Sequence, residues 1–218
     1  MLMLNPFGLL NDDVSKLVRV DEVESGLGCN CFCPKCHAHL IAVHGTRKQW
    51  HFRHYKSEDC GGSFETAVHL LAKEVLVDRK AMRLPYLKVR TSRELWQDGT
   101  QAILKETVVK RQLVRFDYVE DEVWMEGRIP DIVASKAGRK LLVEIVVTHD
   151  LSEDKIEWIR RRGLATVRVN LSWIGYGVDK SIIERCLYDG RAVNIIPRFN
   201  IVNWVYHPRE TEAQQRVN

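Results

Sequence analysis

The sequence holds no apolar run near the ~18 to 20 residues that a membrane-spanning helix requires. Even Leu141 to Val147 is interrupted by Glu144, so no membrane partner is expected. The opening Met-Leu-Met-Leu-Asn-Pro-Phe-Gly-Leu-Leu lacks the basic start and small-residue cleavage site of a secretory signal, and it reads as mature sequence of a cytoplasmic protein. Repeats are missing, and so is low complexity, apart from a polar tail from Arg209 to Asn218. Cysteine is missing from most of the chain: five of the six lie between Cys29 and Cys60 and Cys186 stands alone. That layout excludes the spread disulfide framework of a secreted domain and points to metal. An excess of either charge is small as well. A net charge of +4 suits a polyanionic partner without demanding one.

What is present is enough apolar sequence in 218 residues for one good core with a small appendage. Residues 1–28 read as short strands and turns. The segment 29–62 is rich in Cys, His and turn formers, too polar to build its own core, and is expected to be organised by a metal. Residues 1–62 therefore form a first module, 63–208 a second domain, and 209–218 a tail. The second domain opens on a helix, with Ser63 as N-cap and Phe64, Ala67, Val68, Leu71 and Val75 at helical spacing up to about Arg79. Strands are expected around Tyr86–Val89 and Thr107–Tyr118. The β-rich runs Arg128–Ser135 and Lys140–Thr148, joined by Lys-Ala-Gly-Arg, read as a hairpin. Ser152 is placed to cap a helix through about Arg162, Gly163 stands just past its end, and Ala165–Leu171 reads as a buried strand.

Two constellations carry chemistry. Cys33-Pro-Lys-Cys36 is a turn whose two thiolates can grip one Zn²⁺ ion, and a second pair from elsewhere closes a tetrahedral site. His54 and Cys60 are the simplest second pair, with His51 as the main competitor and the pair His51 and His54 also sterically possible. Ligation by protein alone leaves no open position, so this zinc is structural. Cys29, His37, His39 and His44 read as ordinary side chains.

The second constellation is Asp131 and Glu144 on the two hairpin strands. A carboxylate inside Leu-Leu-Val-Glu-Ile-Val-Val is costly to bury without a partner. A pair of such groups on neighbouring strands is what Mg²⁺ or Mn²⁺ needs for phosphodiester hydrolysis. Taken singly, Asp131 reads as a turn or strand-edge aspartate, and Glu144 equally as half of an ion pair or as a metal ligand. On the first helix Glu65, His69 and Lys73 make one polar stripe, either a solvated face or an edge supplying a third acid and a phosphate contact.

In order and spacing these residues resemble the competence protein CoiA-like family. The marks are Cys33-Pro-Lys-Cys36, His51-Phe-Arg-His54, Cys60, Glu-Thr-Ala-Val-His-Leu-Leu-Ala-Lys from Glu65, Arg-Ile-Pro-Asp ending at Asp131, and Leu-Val-Glu-Ile-Val-Val-Thr-His from Leu142. The resemblance implies a zinc-binding segment joined to a PD-(D/E)XK restriction-endonuclease-like core, an α/β or α+β mixed sheet flanked by helices. It implies Asp131 and Glu144 as ligands of a catalytic metal, Glu65 as auxiliary acid, and a setting in DNA uptake and recombination. One departure stands out: the lysine of the motif is Val146 here. Lys155, Lys73 and His149 are the cations placed to replace it, with Lys155 preferred.

The expected function is metal-dependent cleavage of nucleic acid, DNA before RNA, for which a symmetric dimer would suit cutting both strands. The alternative is a non-catalytic zinc protein that binds nucleic acid through Arg47, Lys48, Arg53 and Lys56. A third reading, a protein-interaction adaptor presenting Trp158, Trp173, Tyr176 and Trp204, carries least, because aromatics at such spacings are more often core.

Overall fold

The computed structural model describes residues 4–56, 58, 60–94, 101–188 and 201–210. The chain is mixed α+β, built mostly of antiparallel sheets with few helices. It divides into two compact units, one of Met1–Val75 with Ile174–Ile183 and one of Leu76–Trp173 with Glu184–Asn218. Among the described residues no helix is long and apolar enough to cross a membrane. The polar tail beyond Glu210 lies outside the described residues.

The first unit is a five-stranded antiparallel sheet of β1 (Phe7–Leu10), β2 (Leu17–Arg19), β3 (Gly26–Phe32), β4 (His39–Val43) and β5 (His51–His54), in the order β2-β1-β3-β4-β5. Alternation along the strands sorts the side chains. Cys29 and Cys31 on β3, Leu40 and Ala42 on β4 and Phe52 on β5 turn inward, and with Val20 and Cys33 they form one core. Residues 29–62 thus share a core with residues 1–28, which supply Val20 and, packed against it, Leu10, Val18 and Val23. Period-two strands gather the few apolar residues on a single face, and buried cysteine behaves there as a small hydrophobe. Helix α1 (Ser63–Arg79) follows, burying Phe64, Ala67, Val68, Leu71, Ala72, Val75 and Leu76. Ser63 is its first helical residue, and its hydroxyl accepts from Asn5 Nδ2 at 2.6 Å rather than from the helix.

In the second unit β6 (Ala81–Leu84) and β7 (Leu87–Glu94) begin two ribbons, completed by β8 (Gln101–Val109) for β7 and β9 (Gln112–Arg115) for β6. The principal sheet joins β10 (Tyr118–Asp121), β11 (Ile132–Lys136), β12 (Arg139–Val146), β13 (Thr166–Asn170) and β14 (Val202–Tyr206), in chain order. The run expected as one strand, Thr107–Tyr118, is in fact shared among β8, β9 and β10. The β11–β12 hairpin turns on Ala137 and Gly138, both at positive φ (48° and 74°). That backbone favours glycine, and the Ala137 N–H is held by Asp117 Oδ2 at 2.7 Å. From β12 the chain crosses through α2 (Glu153–Arg162) to β13, which pairs parallel with β12.

The limits of α2 follow from its ends. Ser152 Oγ accepts the Lys155 N–H at 3.3 Å, Glu153 and Asp154 occupy the first turn, Arg160 to Arg162 the last, and Gly163 is left-handed with φ 62°. Each feature satisfies an end group or opposes the helix dipole. Ile159 of α2 packs on Val133 and Leu142, with Trp158 and Leu164 beside them. Burying three such aliphatic side chains is worth about 1.5–3 kcal/mol each. Helix α3 (Lys180–Tyr188) and β14 were not foreseen in the sequence. The aromatics weighed as an adaptor surface are half-buried: Trp173 Nε1 donates to Asn170 O at 3.1 Å and Trp204 Nε1 to Pro85 O at 3.2 Å.

Candidate metal centres

In the first unit, Cys33 and Cys36 lie on the turn after β3, His54 ends β5, and Cys60 stands three residues ahead of α1. Their four ligand atoms all fall within 4.8 Å of one another. Cys33 Sγ is 3.7 Å from Cys60 Sγ, and Cys36 Sγ is 3.2 Å from His54 Nε2. Three sulfurs and one imidazole nitrogen in that compass could hold one metal ion and match a structural zinc, with all four positions filled by protein.

His51 does not join them. Phe52 and His54 share the inward face of β5, whereas His51 falls on the other face and places Nδ1 2.9 Å from Gln49 O. Cys29 and Cys31 also stay out, their thiols donating to the carbonyls of Leu40 and Cys29. Burial, reinforced by Cys29, pushes the Cys31 thiol up to about 12, which makes it inert.

Cys33 behaves differently. Burial opposes ionisation, yet contacts from the Ser63 hydroxyl, 3.4 Å away, and from the Cys36 and Lys35 amides bring its thiol down to about 7. Asn5 Nδ2 donates to the same Ser63 Oγ that accepts from the Cys33 thiol. Cys60 is pushed up to about 12 by burial and by the neighbouring thiols. A bound cation reverses that repulsion. Arg47, Lys48, Arg53 and Lys56 are all exposed on this unit.

In the second unit, Asp131 immediately precedes β11, and the register Ile132↔Val143 puts it across from Glu144. Its Oδ2 accepts the Ile145 N–H at 2.7 Å. Glu144 is fully buried in β12, with Lys155 Nζ of α2 2.5 Å from its Oε2. Its Oε1 is buried with no partner among the described residues. Such an acceptor costs about 1–3 kcal/mol unless something fills the gap. Burial pushes the Glu144 carboxyl up to about 7, with the charge and hydrogen bond of Lys155 pulling the other way and losing.

Asp131, Glu144 and Lys155 are thus brought together. Val146, where the motif lysine was looked for, is buried two residues along the same face. His149 is exposed, its Nδ1 2.7 Å from Thr148 Oγ1. Glu65, His69 and Lys73 form a half-buried stripe of α1 within the first unit. Two carboxylates make a sparse site beside the four-donor cluster, the sole grouping of three or more Cys, His, Asp or Glu donors among the described residues. Mg²⁺ is nonetheless often held by one or two carboxylates, keeping water and substrate phosphate for its other positions.

Arg168 escaped the sequence reading. It pairs in register with Glu144 from β13 and contacts Asp150. Its signal was the one that exposed Glu144, a charge inside an apolar strand, here Thr-Val-Arg-Val-Asn. Comparison with protein-family models, with curated proteins and with solved structures finds no match to this chain.

Proposed function

We propose that this protein is a metal-dependent nuclease hydrolysing DNA phosphodiester bonds, its second unit a PD-(D/E)XK core of the CoiA-like kind and its first a structural zinc module that aids substrate binding. The observation that carries this reading is the orphaned, buried Oε1 of Glu144, beside Asp131 and with a lysine on its other oxygen. An oxygen left bare in a sheet interior calls for a partner, and a cation would supply one. The order of antiparallel β10, β11 and β12, crossover helix α2 and parallel β13 supports the same reading.

Asp131 and Glu144 would hold Mg²⁺ or Mn²⁺, which when bound supplies Lewis-acid polarisation of the phosphate and a more acidic water. Lys155 takes the part of the missing motif lysine from α2 rather than from β12: it holds Glu144 Oε2, and its remaining protons can orient a water. The buried surroundings strengthen each of these interactions.

A second reading is favoured by that same ion pair. Lys155 already neutralises part of Glu144, so a degenerate fold that binds nucleic acid through the exposed basic residues of the zinc unit, without cutting it, would also tolerate Val146. The two readings part in one experiment. Zinc-loaded protein is incubated with labelled single-stranded and double-stranded DNA and with Mg²⁺, Mn²⁺ or no added divalent ion, with Glu144→Ala alongside. Metal-dependent cutting lost in the variant supports the nuclease. Equal inertness with equal binding favours the degenerate fold.

A further inference from the structure

The carboxylates belong to a longer polar row. The pairing register sets Asp131 across from Glu144, Glu144 across from Arg168 of β13, and Arg168 across from Asn203 of β14. In a sheet, directly paired residues project to the same side, so Arg168 shares the side on which Glu144 meets Lys155. Its neighbours Val167 and Val169 are wholly buried, while its own side chain keeps 35% exposure. Its Nη1 contacts Asp150 Oδ2 in the loop between β12 and α2, and that carboxyl is 58% exposed. So open a pair does little for stability, and it does not explain an arginine on an inner strand between two buried valines.

Lys155 is committed to Glu144 Oε2. A phosphate brought against the two carboxylates therefore needs a second cation, and an inner-strand guanidinium offers a fixed fork for two of its oxygens. We propose that Arg168 is a substrate-binding residue that takes the non-bridging oxygens of a nucleic-acid backbone phosphate, with Asp150 holding the guanidinium in place until the phosphate arrives. This rests on the nuclease reading for the identity of the substrate, but not for its test. Asp150 is a positioning residue in this scheme. Its carboxyl is held below the ordinary range, chiefly by the hydrogen bond from Arg168, and stays charged wherever the enzyme is assayed.

The test uses the full-length, zinc-loaded protein and a fluorescent DNA oligonucleotide, with Ca²⁺ as the divalent ion and affinity followed by anisotropy across a salt series. Arg168→Ala is expected to weaken binding about tenfold and to make the slope of log K against log salt shallower by about one, the mark of one lost phosphate contact. Arg168→Lys should restore the slope, having the charge, but only part of the affinity, lacking the fork. Asp150→Asn should keep the wild-type slope. Should Arg168→Ala disturb folding, as judged by its melting temperature, Arg168→Gln carries the same comparison.

An unchanged slope in a folded Arg168 variant overturns the inference, whatever the cleavage assay says. Wild type that cuts no DNA, but whose slope still falls by one in Arg168→Ala, sinks the nuclease reading and keeps the phosphate position. Wild type that binds no nucleic acid sinks both.

Discussion

The two units arrange metal-ligating residue types in opposite ways, the first in a cluster that could hold a metal ion and the second in a carboxylate pair for which we propose one. In the first, four soft or borderline donors converge from a turn, a strand end and the approach to a helix, leaving nothing for water or substrate. In the second, two hard carboxylates sit in a sheet with one oxygen bare and a lysine on another. A closed set fastens chain segments that are far apart in sequence, so its ion contributes to folding. An open set contributes little to folding and keeps positions for chemistry.

The largest effect is expected from removing a ligand of the closed set. Cys33→Ser or His54→Ala is expected to abolish stoichiometric zinc, measured by elemental analysis. It should also cost the first unit its cooperative melting, because the binding energy of structural zinc, about 10–16 kcal/mol in small peptides, is largely folding energy. A first unit that melted unchanged without zinc would reduce the cluster to a coincidence of thiols. Next in size, Asp131→Asn and Glu144→Ala should each lower metal-dependent cleavage by about 100-fold or more with zinc content intact, which would separate the two centres chemically.

Acidity sharpens the comparison further. The Glu144 carboxyl is pushed up to about 7, so the folded protein holds that proton at a pH where the unfolded chain has released it. The associated stability is complete below the unfolded carboxylate value and is lost as pH rises through about 7. Without Mg²⁺, melting temperature should therefore decline as pH rises from 5 to 8, and Glu144→Gln should flatten the decline. Cleavage should run the other way, rising through pH 7 as the carboxylate becomes free to bind metal. Lys155→Ala, which removes the group that lowers this acid, should move that rise to higher pH. A pH profile indifferent to Lys155 would separate the lysine from the site. The smallest expected effect is a silence: His51→Ala should keep its zinc, since His51 lies on the wrong face of β5.

Local signals made much of this legible in the sequence. Ser152 and Gly163 bracket α2 because capping is settled within a few residues. The β11–β12 hairpin is visible in its turn, and Glu144 in the apolar run it interrupts. His54 and Cys60 could be preferred over His51 as ligands, but only strand alternation decided between the histidines. Non-local pairing was not legible. That Arg168 lies beside Glu144 depends on a parallel register set across α2, 24 residues away in sequence by the pairing Glu144↔Arg168, and nothing local encodes it. The core role of Cys29 and Cys31 was hidden for a related reason: in a segment crowded with metal-ligand types, only the fold tells a ligand from a packed thiol.

Asp131 does two jobs at once. Its Oδ2 takes the Ile145 N–H just where β11 begins, so it closes the ladder as well as facing the proposed site. Glu144 closes nothing, and a buried pair such as Glu144–Lys155 can often be replaced by apolar side chains without loss. Among descendants of this chain, an inactive lineage would still feel pressure to keep the aspartate and little to keep the glutamate. The glutamate, not the aspartate, is the residue whose survival would record that the chemistry is in use.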